Sequence, residues 1–212
     1  MAKDETADAG PLNIEFTLAG VSDYRFRGLS LSNKHQAFQP SLTVTHESGL
    51  YASAWGSNIA HNEGDSIEVD LTAGWSGAVG PLDVNIGGVY YLYPGVTGIN
   101  SYEALGSVGT DVGAGNIALD IAYTPRQKNT ANKDNIYLAV SGGFPVFDTG
   151  VSLNGSFGIE DGAFADKKKD WSIGAEYELA GFTLGVKYVD TAHSGGNPLG
   201  RAGALFSVSK TF

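Results

Sequence analysis

A single all-β domain, built as a transmembrane antiparallel up-and-down barrel of about twelve strands, is predicted by three features of the sequence. Apolar and polar residues alternate in segments of about ten residues, turn residues separate the segments at alternately short and long spacing, and aromatic residues gather at the ends of the apolar faces. Alternation with period two marks an extended chain, because successive side chains of a strand point to opposite faces. A soluble sheet would turn its apolar face inward, whereas a membrane barrel turns that face to lipid and keeps the polar one inside.

The totals narrow the choice. The 212 residues are 42% hydrophobic and 17% charged, with a net charge of -10 and no cysteine. That hydrophobic share excludes a disordered chain. The lack of cysteine excludes a disulfide framework and thiolate metal sites. An acidic chain is a poor partner for nucleic acid, whose phosphates need a basic surface. No apolar run approaches the roughly 18 residues of a transmembrane helix. Residues 1–11 contain no apolar run and read as a flexible acidic periplasmic lead-in, with 12–212 forming one barrel domain.

The first strand is read from Leu12 to Arg27, on Leu12, Ile14, Phe16 and Leu18 against Asn13, Glu15, Thr17 and Ala19. The second, Ala37 to His46, sets Phe38, Leu42 and Val44 against Gln39, Ser41, Thr43 and Thr45. A turn at 47–49 leads to a third, Leu50 to Ile59, with the weakest alternation. The fourth contains "SIEVDLTAGW" at 66–75, where Ile67, Val69, Leu71, Ala73 and Trp75 share one face while Glu68 and Asp70 share the other. The fifth runs from Leu82 to Tyr93 and the small-residue-rich sixth from Tyr102 to Val112. Ile117 to Tyr123 and Ile136 to Val140 mark the seventh and eighth, and Val151 to Ile159 the ninth. Trp171 to Leu179 and Phe182 to Asp190 give the tenth and eleventh, and a twelfth ends on Phe206, Val208 and Phe212.

Short connections near 47, 78, 114, 144 and 180 alternate with longer polar ones at 28–36, 60–65, 94–101, 125–133, 161–169 and 191–200. Short turns at one end and long loops at the other are expected of a bacterial outer-membrane barrel, and an even strand count leaves both termini in the periplasm. On this threading Trp75, Tyr177, Phe182 and Phe212 lie near the periplasmic rim. Phe26, Tyr90, Tyr102, Tyr123, Trp171 and Tyr188 lie near the outer rim, with aliphatic residues between. Amphipathic rings favour the membrane interface; the alternative is the general abundance of Trp and Tyr in strands.

Four stretches, "SDYRFRG" at 22–28, "HESGLYASAWGSN" at 46–58, "EVDLTAGW" at 68–75 and "YLYPG" at 91–95, resemble the TorF porin family, also called the Gcw_chp family. The resemblance is densest over 12–95 and continues through strand pattern to Phe212. It implies a proteobacterial outer-membrane barrel and carries over no substrate and no functional residues. The ending "FSVSKTF" is similar to the terminal aromatic signal by which barrels are recognised by the assembly machinery. Lys210 departs from that signal, and a lysine there can snorkel to the interface.

Inside such a barrel, Arg25 and Arg27 on the first strand, Lys187 on the eleventh and Arg201 at the start of the twelfth are expected to form a basic arc, since first and last strands adjoin. Strands four to ten contribute Glu68, Asp70, Asp83, Glu103, Asp120, Glu160, Glu176 and Glu178. The expected constriction is Arg25, Arg27, Lys187 and Arg201 opposite Glu68, Asp70, Glu103 and Glu176. Tyr51, Trp55, Tyr91, Tyr93 and Tyr137 share the inward parity and narrow the bore. Opposed charges can orient small polar solutes or ions in passage, with the acidic excess favouring cations. The same charges can instead pair and hold the barrel shut.

Other functions find less in the sequence. A lipid hydrolase needs a serine, a histidine and an orienting group together. His46 lies at the periplasmic end, and no motif links His35, His61 or His193 to Ser30, Ser32 or Ser194. His61, Glu63 and Asp65 read as solvated loop charge rather than a metal site, and no cofactor is implied. The lysines at 167–169 read as exposed loop charge able to meet lipopolysaccharide. A loop-mediated interaction barrel is the remaining alternative, and the sequence does not fix the oligomeric state.

Overall fold

In a computed structural model, which describes residues 11–61 and 64–212, the chain forms a closed antiparallel barrel. The acidic lead-in, apart from Pro11, lies outside the described residues. The wall consists of twelve strands: β1 (Leu12–Val21), β4 (Ala37–His46), β5 (Leu50–His61), β6 (Gly64–Val79), β7 (Leu82–Leu92), β8 (Ser101–Val112), β9 (Gly115–Thr124), β10 (Asn135–Val146), β11 (Val151–Gly162), β12 (Lys168–Leu179), β13 (Phe182–Ala192) and β14 (Gly203–Thr211). Two further strands, β2 (Arg25–Phe26) and β3 (Leu29–Ser30), form a separate hairpin between β1 and β4. No helix among the described residues is long and apolar enough to cross a membrane.

Each wall strand pairs with its sequence neighbour, and β1 pairs with β14, from Thr17 opposite Thr211 to Val21 opposite Ser207. The seam continues at Phe16, which exchanges both backbone hydrogen bonds with Phe212 at 3.3 and 2.9 Å. Closure removes the unpaired edges that an open sheet would present.

The alternation read from the sequence is the alternation of the wall. Ile14, Ile67, Leu71, Ile86, Leu119, Ile173 and Phe206 stand exposed on the outward face. So do Tyr90, Tyr102, Tyr123, Trp171, Tyr177, Phe182, Tyr188 and Phe212, and Trp75 shares that face, opposite Leu50 and Ile86. Trp75 donates its indole N–H to Ser48 O at 2.8 Å, and the Trp171 and Tyr188 rings lie 5.4 Å apart. Lys210 also faces outward, its ammonium 5.0 Å from the Phe182 ring and 5.1 Å from the Phe212 ring. The aromatic slot that Lys210 occupies is therefore filled by a cation held between rings.

Three expectations are corrected. The first strand ends at Val21, not Arg27, so Phe26 leaves the outward face and packs inside the barrel. The loop expected at 60–65 is nearly absent, because β5 runs to His61 and β6 starts at Gly64. The short turn near 144 falls later, since β10 continues through Val146. The connections of the end holding Leu12 and Phe212 are short, and the described ones of the other, loop end span 22–36, 93–100, 125–134, 163–167 and 193–202.

Candidate functional site

The first connection, 22–36, does not project away from the barrel; it folds back into the lumen. Its core is the β2–β3 hairpin, turned by Arg27 and Gly28 at φ 47 and φ 83. Two successive positive φ values give the turn whose twist suits a two-residue hairpin. Asp23 organises the base: it accepts hydrogen bonds from Ser30 Oγ at 2.5 Å, Ser32 Oγ at 3.2 Å and Arg25 Nε at 2.6 Å. Ser32 Oγ in turn accepts the Tyr24 N–H at 2.9 Å. Two wall contacts seat the unit: Ala60 N–H donates to Leu31 O at 2.8 Å, and Tyr24 stacks 5.2 Å from Trp55 in a small apolar core with Ala37 and Ile59.

Arg27 crosses the lumen from the hairpin tip. It grips Glu103 of β8 with Nη1 and Nη2 at 3.0 and 2.6 Å, and Nη1 also donates to Glu160 of β11 at 3.0 Å. Its guanidinium stands 4.6 Å from the rings of both Phe26 and Tyr137. Glu103 accepts further bonds from Tyr91 Oη and Thr124 Oγ1, and Glu160 from Asn135 Nδ2. Lys168 Nζ, at the start of β12, completes the lock by bonding Glu160 at 2.5 Å and Arg27 O at 2.8 Å. All four charged side chains are at most 7% exposed. Such a network survives burial only because each charge has both a counter-ion and hydrogen bonds. Burial works against the charge on Arg27, but Glu103 and Glu160 outweigh it and raise its pKa above the ordinary value. Burial, then the charges of Glu68 and Asp70, push the Tyr24 phenol upward as well, which keeps it neutral.

The constriction predicted from parity is thus assembled differently. Arg25 and Arg27 lie on the hairpin, not on the wall. Arg25 is paired with Asp23 and donates to the carbonyls of Gly28, Leu199 and Arg201, tying the hairpin to the last loop. Arg201 itself is exposed in that loop, ahead of β14. Glu103 meets Arg27, while Glu68 and Asp70 face inward on β6 without a cation within salt-bridge distance among the described residues. Glu176 and Lys187 line a different cavity, of ≈ 540 Å³, with Asn116, Ser141, Asn154 and Ser172 in the terminal half. A second polar cavity of ≈ 530 Å³ there is lined by Asp83, Asn85, Ser107 and Asp111. Arg25, Arg27 and Lys187 do share a third cavity, of ≈ 370 Å³, but the acids that line it are Asp23 and Asp170 rather than Glu68, Asp70, Glu103 or Glu176.

Lys168 corrects a second expectation. Lys167 and Lys169 are exposed, but Lys168 is buried between Glu160 and the hairpin tip. Its parity with Asp170 and Ser172, both inward, carried that signal in the sequence. Ser30 and Ser32 are buried around Asp23. His46 Nδ1 lies 2.8 Å from Ser48 Oγ and accepts the Ser48 N–H, a bond internal to its turn. The side chains of His61, Glu63 and Asp65 lie outside the described residues, and those that are described include no cluster of three metal-binding side chains.

Residues 5–212 match the model of a family described as "Bacterial protein of unknown function (Gcw_chp)". Among solved structures, the fold is similar to that of the KdgM porin, with TM-score 0.64 and 9% identity over 94% of this chain and 97% of that one. It is similar to the NanC porin, at 0.62 and 11% over 92% and 98%. It is also similar to the COG4313 outer membrane channel from Pseudomonas putida F1, at 0.55 and 9% over 100% of both. At these identities the likeness is one of fold. No curated protein matches the chain by sequence.

Proposed function

Because the chain belongs to the Gcw_chp family, we propose that this barrel is a bacterial outer-membrane channel for small polar solutes or ions, narrowed by its own first loop. The observation that carries the reading is the hairpin locked across a polar lumen by Arg27, with cavities on both sides. A barrel that served only as a scaffold has no need of a folded insert held by charges that a change of partners can release. The fold shared with porins supports the same reading. The apolar outward face supports a lipid surround, since water would leave that area uncompensated. Short turns at the end that holds Leu12 and Phe212 support a periplasmic location for that end. The C-terminal strand, closing the wall beside β1, suits recognition by the barrel-assembly machinery, and the exposed Lys167 and Lys169 suit contact with lipopolysaccharide.

Purified folded protein in a planar bilayer is expected to give small, cation-favouring conductance steps, with the sign read from the reversal potential across a salt gradient. Absence of conductance above the lipid background would overturn the channel reading and favour the closed barrel.

The lipid surround has its own test. Ile173, mid-strand in β12, is 61% exposed on the outward face, whereas its neighbour Ser172 bonds Ser156 and lines the lumen. Ile173→Arg should cost about 2–4 kcal/mol of folding stability in liposomes. Ser172→Arg should cost about 1 kcal/mol, the worth of one hydrogen bond. Reversible urea unfolding measures both, and equal losses would contradict the assignment of faces.

A further inference from the structure

Every buried cation around the hairpin is engaged: Arg25 with Asp23, Arg27 with Glu103 and Glu160, Lys168 with Glu160. Asp170, whose Oδ2 is also unpartnered, lines the cavity that holds Arg25, Arg27 and Lys187; Glu68 and Asp70 are left over. They share the inward face of β6, two residues apart, and Glu68 is only 1% exposed. Tyr93 donates to Glu68 Oε1 at 2.8 Å, and the Tyr24 phenol lies beside the same carboxyl. Glu68 Oε2 and Asp70 Oδ1 are buried with no hydrogen-bond partner among the described residues. Buried anionic oxygens are normally paired, and an unpaired one carries the full cost of its lost hydration. Two such oxygens stand on adjacent inward positions with no positive charge within salt-bridge distance among the described residues.

The surroundings specify what kind of charge. Glu68 stands in the lining of a cavity of ≈ 430 Å³ at the loop end, whose other walls include Phe26, Leu29, Ile59, Tyr93 and Phe164. The two cavities of the terminal half are lined largely by Ser, Asn, Asp and Gly, whereas the walls of this chamber are mostly apolar and aromatic, with Ser101, Asn129, Glu103, Glu160 and Lys168 completing them. Its volume is that of a small-molecule pocket. A hydrated inorganic ion would surrender water there for hydrocarbon, whereas a cation attached to an apolar body gains from those walls and from the tyrosine faces.

We propose that the chamber binds an organic ammonium, a primary amine whose apolar body fills the cavity. Its NH3+ group pairs with the Glu68 carboxylate, which lines the chamber, and Asp70, two residues along the same inward face and outside that lining, adds negative charge nearby. The site deepens the channel reading by naming a class of solute, and it rests on that reading only for the solute's passage; binding requires no more than the folded barrel.

The test is calorimetric titration of the barrel in nanodiscs of uncharged lipid, with empty nanodiscs as the blank. The probes are phenethylammonium, phenethyl alcohol and phenylacetate at low ionic strength. Phenethylammonium is expected to bind at least about ten-fold more tightly than the alcohol, as one charge-assisted hydrogen bond implies, and phenylacetate most weakly. Glu68→Gln should remove the preference for the amine over the alcohol, with heat-modified gel migration showing that the variant is folded. Asp70→Asn should reduce the preference in the same direction. Equal affinity for amine and alcohol, an unchanged preference in Glu68→Gln, or no binding of any probe would overturn the site. Binding of potassium ion without preference for the amine would do the same. The preference without conductance would leave the site standing and remove the channel, and conductance without the preference would do the reverse.

Discussion

Arg27→Ala is expected to raise single-channel conductance several-fold. The side chain is 7% exposed and supplies both bonds to Glu103 and one to Glu160. Without it Glu160 keeps Lys168 and Asn135, but Glu103 keeps only the neutral donors Tyr91 and Thr124. Removing one partner of a buried ion pair costs about 3–5 kcal/mol, because the other charge stays behind uncompensated. That cost falls on the seated hairpin rather than on the wall, whose ladder of backbone bonds does not involve Arg27. The hairpin should therefore leave its seat while the barrel stays folded. Arg27→Lys retains the charge but not the two-pronged grip, and its conductance should fall between the two. Unchanged conductance in Arg27→Ala, with the barrel folded, would show that the lock does not control the bore.

Gly28→Ala should reach the same open state with every charge in place. A Cβ built on Gly28 would stand 2.2 Å from Thr191 Oγ1 and 2.7 Å from Asp170 Cβ, and the residue has φ +83. An L-residue in left-handed backbone already costs about 1–2 kcal/mol, and the overlap with β12 and β13 adds to it. Gly95→Ala is the control: its φ is +90, but nothing lies within 4 Å of the added carbon, so it should leave conductance unchanged. A cysteine introduced at Phe26 would report the state directly, reacting slowly with an external thiol reagent in the parent barrel and quickly in Gly28→Ala. Since both substitutions release one unit, the double variant should conduct little more than either single one.

The wall was legible because one physical rule repeats in it: lipid-facing and lumen-facing residues must alternate, so Ile67, Val69 and Leu71 against Glu68 and Asp70 identify a strand and both its faces. The hairpin was not, and the reason lies in Tyr24 and Phe26. Their even numbers continue the phase of Leu12, Ile14, Phe16 and Leu18, so the chain reads as one long strand although it leaves the wall at Val21. Inside the lumen those two rings meet Trp55 and Tyr91, an apolar core that alternation cannot distinguish from a lipid face. One clue was available: a spanning strand needs about 9–11 residues, and Leu12 to Arg27 exceeds that while ending in an Arg–Gly pair suited to a turn. Parity put the inward tyrosines and Glu103 in the lumen. It could not foresee that Arg27 would approach Glu103 from a hairpin, because that partnership depends on a three-dimensional excursion rather than on periodicity.

The joint between β1 and β14 sets the timetable of assembly. Thr17 and Thr211, whose hydroxyls meet at 2.8 Å, are separated by 194 positions in the chain, so the contact that seals the cylinder is among the most distant in sequence. Contacts of that kind form late, after the entropy of closing the intervening chain has been met. Until then the molecule is a curved ribbon with two free edges, each able to template the wrong neighbour. Its most vulnerable period is therefore the interval before the seam closes, and what it needs then is shelter for an edge.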